Sequence, residues 1–186
     1  MKPRIILDTT QFNLVINRLC YQLIEDQRDF SETVIIGVQP RGIFLAKRIF
    51  SRLKELENKQ CAHFGKLDIT FHRDDFGGDK ILTPSQTELD FSIENKRVVL
   101  IDDVLYSGRT IRAALDALLS FGRPKDVELL VLVDRKLHRD LPIQAKYVGK
   151  TIDSIVDEKV KVEWAEQDGK DQVWLLPIET KTKNKA

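Results

Sequence analysis

Cysteine is scarce in this chain. Cys20 and Cys61 are the only two in 186 residues, far apart and outside any CxxC or histidine-rich cluster. That excludes a disulfide framework and a structural zinc site, and it suits a reduced, cytoplasmic setting. Histidine is equally sparse: His63, His72 and His138 are scattered, and no Ser/His/Asp triad stands out. No apolar run is long enough to span a bilayer. The opening Ile5-Ile6-Leu7 reaches Asp8 too soon to form a signal-peptide core. Charge of one sign is also missing, since 30 basic and 29 acidic residues leave a net +1. Neither nucleic acid nor an anionic membrane is therefore attracted by overall charge. There is no G-x-x-x-x-G-K-[ST] loop, which argues against a nucleotide-hydrolysing P-loop protein, and there is no internal repeat.

What is present is an ordinary globular composition, 42% hydrophobic and 32% charged, at a length that suits one compact domain. That domain is read as residues 1–180, followed by a disordered basic tail, 181–186, carrying Lys181, Lys183 and Lys185.

Asp8 or Thr9 can cap a first helix with Phe12, Val15, Ile16, Leu19, Leu23 and Ile24 along one face. Thr33 to Gln39 is a β-branched run expected to be a strand buried on both sides, and Pro40-Arg41-Gly42 breaks it. A second helix buries Leu45, Ile49, Leu53 and Leu56. Lys66 to His72 alternates polar and apolar residues and reads as a half-buried strand. Asp74 to Asn95 has no period and reads as a mobile functional loop.

Arg97 to Ile101 reads as a buried strand ending at Asp102-Asp103, and Gly108 to Phe121 as a helix closed by Gly122 and Pro124. Val127 to Val133 is a further strand. Val160 to Trp164 and Gln172 to Leu176, separated by Asp168-Gly169, suggest a hairpin. Strands alternating with helices predict an α/β fold with a doubly wound, mainly parallel sheet and a small antiparallel addition.

The chemistry concentrates where the Val98–Ile101 strand runs into two acids, the loop Tyr106-Ser107-Gly108-Arg109-Thr110, and a helix. Gly108 lets the backbone approach an anion. Free N–H groups at the helix start, with the Ser107 and Thr110 hydroxyls, suit a phosphate. Asp102 and Asp103 suit neighbouring sugar hydroxyls and can help fix a divalent cation. A bare Asp-Asp pair reads as solvated acids and the glycine turn alone as a helix cap. The whole arrangement reads as a site for a ribose 5-phosphate.

VVLIDDVLYSGRT resembles the 5-phosphoribosyl diphosphate (PRPP) signature of type I phosphoribosyltransferases. With GVQPRGIFLAKRI, KLDITFHRDDF, ALDALLSFGRPKDVELLVLVDR and HRDLPIQAKYVGK, the chain resembles the pyrimidine-operon attenuator/uracil phosphoribosyltransferase (PyrR) family. The resemblance implies a type I phosphoribosyltransferase fold with a small hood. It also implies Mg²⁺-dependent conversion of uracil and PRPP to UMP and diphosphate. In that reading Asp102 and Asp103 hold the ribose hydroxyls and, directly or through those hydroxyls or water, the metal. Ser107 to Thr110 take the 5′-phosphate, beside Tyr106. Pro40, Arg41 and Gly42 occupy the position of the pyrophosphate loop, although Pro40 removes one N–H donor.

By the same resemblance Arg73 and the loop over about residues 74–95 match a lid that excludes water from the reactive centre. Val133, Asp134 and Arg135 match the region that meets the base, and Lys136-Leu137 departs from the shorter, glycine-containing link expected there. Tyr106 stands where purine-salvage relatives often carry an acid, which favours a pyrimidine. Association into a homodimer or larger is implied too.

The alternative is a UMP/UTP-responsive RNA-binding regulator, since members of that family bind pyrimidine-operon messenger RNA. RNA needs clustered cations. The first helix offers Arg18 beside Glu25 and Asp26, and residues 135–150 offer Lys136, Arg139, Lys146 and Lys150, with Gln144 where a further cation is expected. A third reading is a nucleotide sensor with little turnover, against which stand the intact Arg41, Arg73 and Asp102-Asp103.

Overall fold

The structure is a computed structural model and describes residues 2–27, 29–57, 63–74, 84–137, 139–153 and 158–177. Its first strand, β1 (Arg4–Leu7), leads into α1 (Thr9–Gln27). Asp8 caps α1: its Oδ1 accepts the Gln11 N–H at 2.9 Å, and Gln11 Oε1 returns a bond to the Asp8 N–H at 3.2 Å. This reciprocal pair satisfies donors that a helix start leaves open. The face carrying Phe12, Ile16, Leu19 and Leu23 is buried, as its helical spacing predicts.

The strands β2 (Thr33–Val38), β3 (His63–Leu67), β4 (Arg97–Leu105), β5 (Asp126–Arg135) and β6 (Tyr147–Ile152) form one parallel sheet in the order β3-β2-β4-β5-β6. Helix α2 (Gly42–Glu57) follows β2, and α3 (Arg109–Leu118) follows β4. One core cluster joins Ile35, Val99 and Ile101 to α1 and α2; a second joins Val34, Ile36, Val98 and Leu100 to Ile111, Ala114 and Leu118 of α3. Both faces are covered, so the strands are apolar throughout.

A second sheet is antiparallel, in the order β1-β8-β7, where β7 is Glu158–Glu163 and β8 is Gln172–Pro177. It is the expected hood, enlarged by the N-terminal strand. Its hairpin is not closed by a tight Asp-Gly turn: Trp164 leaves the strand and α4 (Ala165–Asp168) follows, ending at Gly169 with φ 80°. Trp164 is fully buried and packs edge-on to Phe12 and stacked on Phe44, so core packing takes it out of the strand.

Other boundaries differ from expectation as well: α3 ends at Leu118 rather than Phe121, and β5 runs on to Arg135 rather than stopping at Val133. The strand expected over Lys66–His72 is β3, which ends at Leu67 where its pairing with Val38 of β2 stops. Asp68 Oδ1 then accepts Thr70 Oγ1 at 2.8 Å, starting a 3₁₀ turn, Thr70–His72. Strand β4 does not end at the acids but continues to Leu105, paired with β5. The two-residue alternation is interrupted there: Ile101 and Val104 pack with the first cluster, Leu100 and Leu105 with the second.

Residues 84–95 of the expected loop run along the sheet edge, with Lys66 and Glu88 forming a bridge and Ile93 buried. Residues 75–83, His138, Cys61 and the tail lie outside the described residues.

Candidate active site

Loops leaving the C-terminal ends of β2, β4 and β5 meet at one edge of the parallel sheet, the edge where such sheets bind ligands. Two glycines allow the approach. A Cβ on Gly42 would lie 2.6 Å from the Ile101 carbonyl oxygen and 2.9 Å from Asp102 Cα. The Pro40–Gly42 turn therefore sits directly on the acidic end of β4. Gly108 caps α3 at φ 93°, a conformation that side chains rarely adopt.

Asp102 and Asp103 are almost fully buried. Burial, followed by the charge of Asp103, pushes the Asp102 carboxyl well above the usual carboxylate range, while Arg73 draws it back. Burial also raises Asp103, opposed by Arg41. Arg41 Nε donates to Asp103 Oδ2 at 3.1 Å, and its Nη2 donates to the Val162 carbonyl of the hood.

Two cavities flank this acidic strand end, and Val104 lines both. One, of about 160 Å³, is lined by Arg73, Leu105 and Tyr106 to Ile111. The first turn of α3 belongs to its wall, and N–H groups there have no intrahelical acceptor. The other, of about 390 Å³, lies between Arg41, Asp103 and Val104 on one side and Lys159 to Val162 with Leu176 on the other. The larger cavity, of about 600 Å³, is open and lies between α1 and α2, away from the acids. Of the three, only the smaller pair adjoins the strand end that carries Asp102 and Asp103.

The residues singled out in the sequence are distributed as follows. Arg41, Gly42, Asp102, Asp103 and the 106–110 loop come together, with Arg73 at the phosphate-sized cavity. Pro40 is exposed at the turn. The Arg109 guanidinium is turned to Asp140 at 3.0 Å and Asp74 at 3.3 Å, so the first-turn backbone rather than this side chain faces an anion. Arg135 lies over the Tyr106 ring, 4.3 Å from its centroid, a cation–π contact.

Val133 is buried in the core, and the Asp134 carboxylate is held by Arg139, which also bonds the Tyr106 carbonyl. None of Val133, Asp134 and Arg135 lines either cavity. The hood residues Lys159, Val160, Lys161, Val162 and Leu176 were missed. The late hairpin was legible, but nothing in its sequence says which strand end it covers.

Among the described residues no group of three His, Cys, Asp or Glu side chains converges as a metal site. Two adjacent buried carboxylates with raised proton affinity nonetheless fit Mg²⁺, which keeps waters and binds through one or two carboxylates plus substrate phosphates.

A buried acid pair with a cavity on each side, one of them walled by the open start of α3, is the layout expected of a phosphoribosyltransferase. The family model described as phosphoribosyl transferase domain matches residues 4–167. The chain is 46% identical to the bifunctional protein PyrR of Ligilactobacillus salivarius over 178 residues, covering 93% of this chain and 98% of that one. It is 45% identical to the pyrimidine operon regulatory protein of Lactococcus lactis subsp. lactis over 175 residues, covering 94% and 98%. The chain belongs to the phosphoribosyltransferases and, within them, to the PyrR family. Among solved structures it resembles a hypoxanthine phosphoribosyltransferase of Staphylococcus aureus, with a TM-score of 0.66 at 23% identity over 93% of this chain and 90% of that one. It also resembles the Trypanosoma cruzi hypoxanthine phosphoribosyltransferase, with a TM-score of 0.67 at 15% identity over 95% and 97%. These two likenesses concern the fold.

Proposed function

We propose that this chain transfers the phosphoribosyl group of PRPP to uracil, giving UMP and diphosphate. The observation that carries this reading is the buried Asp102-Asp103 pair between two cavities, one walled by a helix start and the other by the outer strand of the hood. The 5′-phosphate is held by the first turn of α3 with Ser107 and Thr110. The ribose hydroxyls bond to Asp102 and Asp103. The diphosphate lies toward the Pro40–Gly42 turn, where Arg41 exchanges Asp103 for phosphate oxygens.

Asp102 and Asp103 would hold Mg²⁺, directly or through ribose hydroxyls or water, and the bound ion would supply charge stabilisation to the departing diphosphate. The chain contributes alignment of the two reactants and fixed donors for the charge that develops on the leaving group.

The base occupies the hood cavity against Val104, rather than meeting Val133 to Arg135. Strand β7 is the outer strand of its sheet, and its Val162 carbonyl turns away from β8 to accept Arg41. In an antiparallel strand alternate residues point the same way, so the Val160 N–H and C=O also face the cavity. One donor beside one acceptor matches the N3–H and O4 edge of uracil.

Initial rates with Mg²⁺, PRPP and uracil, hypoxanthine, guanine or orotate test this. Nucleotide formation from uracil supports it, and formation only from a purine refutes the base assignment.

A second, regulatory role rests on the relatives' names, bifunctional protein and operon regulatory protein. Its surface would carry the exposed Lys136 and Lys150. Arg18 is engaged by the Val148 and Gly149 carbonyls, and Lys146 by Asp26 and Glu128. Retention of operon-leader RNA at physiological salt, lost on replacing Lys136 and Lys150, supports this role; no retention refutes it.

A further inference from the structure

Arg73 follows a 3₁₀ turn and lines the cavity at the start of α3, and the residues on both sides of it are held by one arginine of α3. Arg112 Nη2 donates to the His72 carbonyl at 3.2 Å and lies 3.2 Å from Asp74 Oδ2. The same Asp74 oxygen is 3.3 Å from Arg109 Nη1. Arg73 itself is extended, at φ −80° and ψ 141°, so its side chain and that of Asp74 project to opposite sides. Asp74 is gripped by α3 while Arg73 lines the cavity made by the start of that same helix. Arg112 is in turn steadied by Asp116 at 2.8 Å.

We infer that Arg112 and Asp74 are positioning residues that fix Arg73 beside the bound phosphate of PRPP, an inference that rests on the transferase reading above. As an isolated surface pair, Arg112–Asp74 would contribute little stability. Its consequence lies in geometry: two acceptors flanking Arg73 are held by one guanidinium nitrogen, Arg112 Nη2, on the helix whose first turn walls the anion cavity. Losing it frees Arg73 to leave the cavity without disturbing the hood, where the base sits.

The experiment uses the full chain with Mg²⁺. PRPP and uracil are varied independently in rate measurements, and PRPP affinity is read by calorimetry. Arg112→Gln is expected to raise the PRPP KM and Kd about tenfold, the loss that a small misplacement of a binding group brings, with the uracil KM unchanged. Asp74→Asn shifts the same quantities in the same direction, and Asp74→Glu recovers part of the loss. Because Arg112 acts through Arg73, Arg73→Gln combined with Arg112→Gln is no worse than Arg73→Gln alone.

A wild-type PRPP affinity in Arg112→Gln, or fully additive losses in the double variant, overturns the inference while leaving the transferase reading intact. Failure of the wild-type chain to bind PRPP overturns both. A chain that binds PRPP without turnover still reports the positioning through Kd.

Discussion

Arg41 and Asp103 are joined across the mouth of the site, guanidinium Nε to carboxylate Oδ2 at 3.1 Å. The same arginine reaches the hood through the Val162 carbonyl. One side chain thus ties the acidic end of the parallel sheet to the edge strand facing it, and in the proposed reaction it turns from Asp103 to the diphosphate. Arg41→Lys keeps the charge but loses the fork, and Arg41→Ala also leaves a buried carboxylate without its cation. The expected result in steady-state kinetics is a fall in kcat/KM for PRPP of about 10-fold for lysine and about 100-fold for alanine.

Asp102 is buried at a cost to the ligand-free fold. Its carboxyl is pushed upward by burial and then by the Asp103 charge, so the folded state binds a proton more tightly than the unfolded chain. The sign follows from linkage: where the native state holds more protons, stability falls as pH rises. That loss sets in above the ordinary carboxylate value of 3.8 and continues up to the raised folded value. Asp102→Asn removes the buried charge while keeping an oxygen for the Asp103 N–H, which Asp102 Oδ1 now accepts at 2.9 Å. Thermal melts at pH 7 are expected to show the ligand-free variant more stable than wild type by about 2–4 °C per kcal/mol gained. The same variant should bind Mg²⁺ and PRPP poorly.

Asp171 behaves in the opposite sense. Burial alone would raise its carboxyl, but the bonds from Arg48 at 2.7 Å and the Ala165 N–H at 2.8 Å prevail and lower it. A lowered folded pKa contributes stability above the ordinary carboxylate value that is lost as pH falls through the folded one. Arg48 also lies over the Phe12 and Trp164 rings, so this carboxylate anchors the hood connection to α1 and α2. Asp171→Asn is expected to cost about 1–3 kcal/mol in urea unfolding at pH 7. The gap from wild type should close at a pH low enough to protonate Asp171.

Much of this architecture was legible from residue pattern. Thr33–Val38 and Val98–Ile101 announce themselves as apolar runs because α1 and α2 cover one face of the sheet and α3 the other. The turn into α3 was legible because Gly108, at φ 93°, marks the start of that helix. Strand β1 was not, since four residues, Arg4–Leu7, become a strand only by pairing with Val173–Leu175 at the far end of the chain. Strand β6 was missed because Tyr147–Ile152 mixes glycine and lysine with its apolar residues and is held by parallel pairing to β5. The polarity of Asp102 and Asp103 ended an apolar run without ending the strand. The hood cavity needs the β7 edge to face Val104, a tertiary relationship that no local spacing encodes.

The central claim is tested most directly by chromatographic quantification of UMP made from uracil, PRPP and Mg²⁺ by the wild-type chain and by Asp103→Asn. The account predicts steady UMP formation by the wild type and a fall of at least about 100-fold in the variant, which loses an acceptor for the ribose and the charge that faces the metal. No UMP from the wild-type chain, or equal yields from the two proteins, would contradict it.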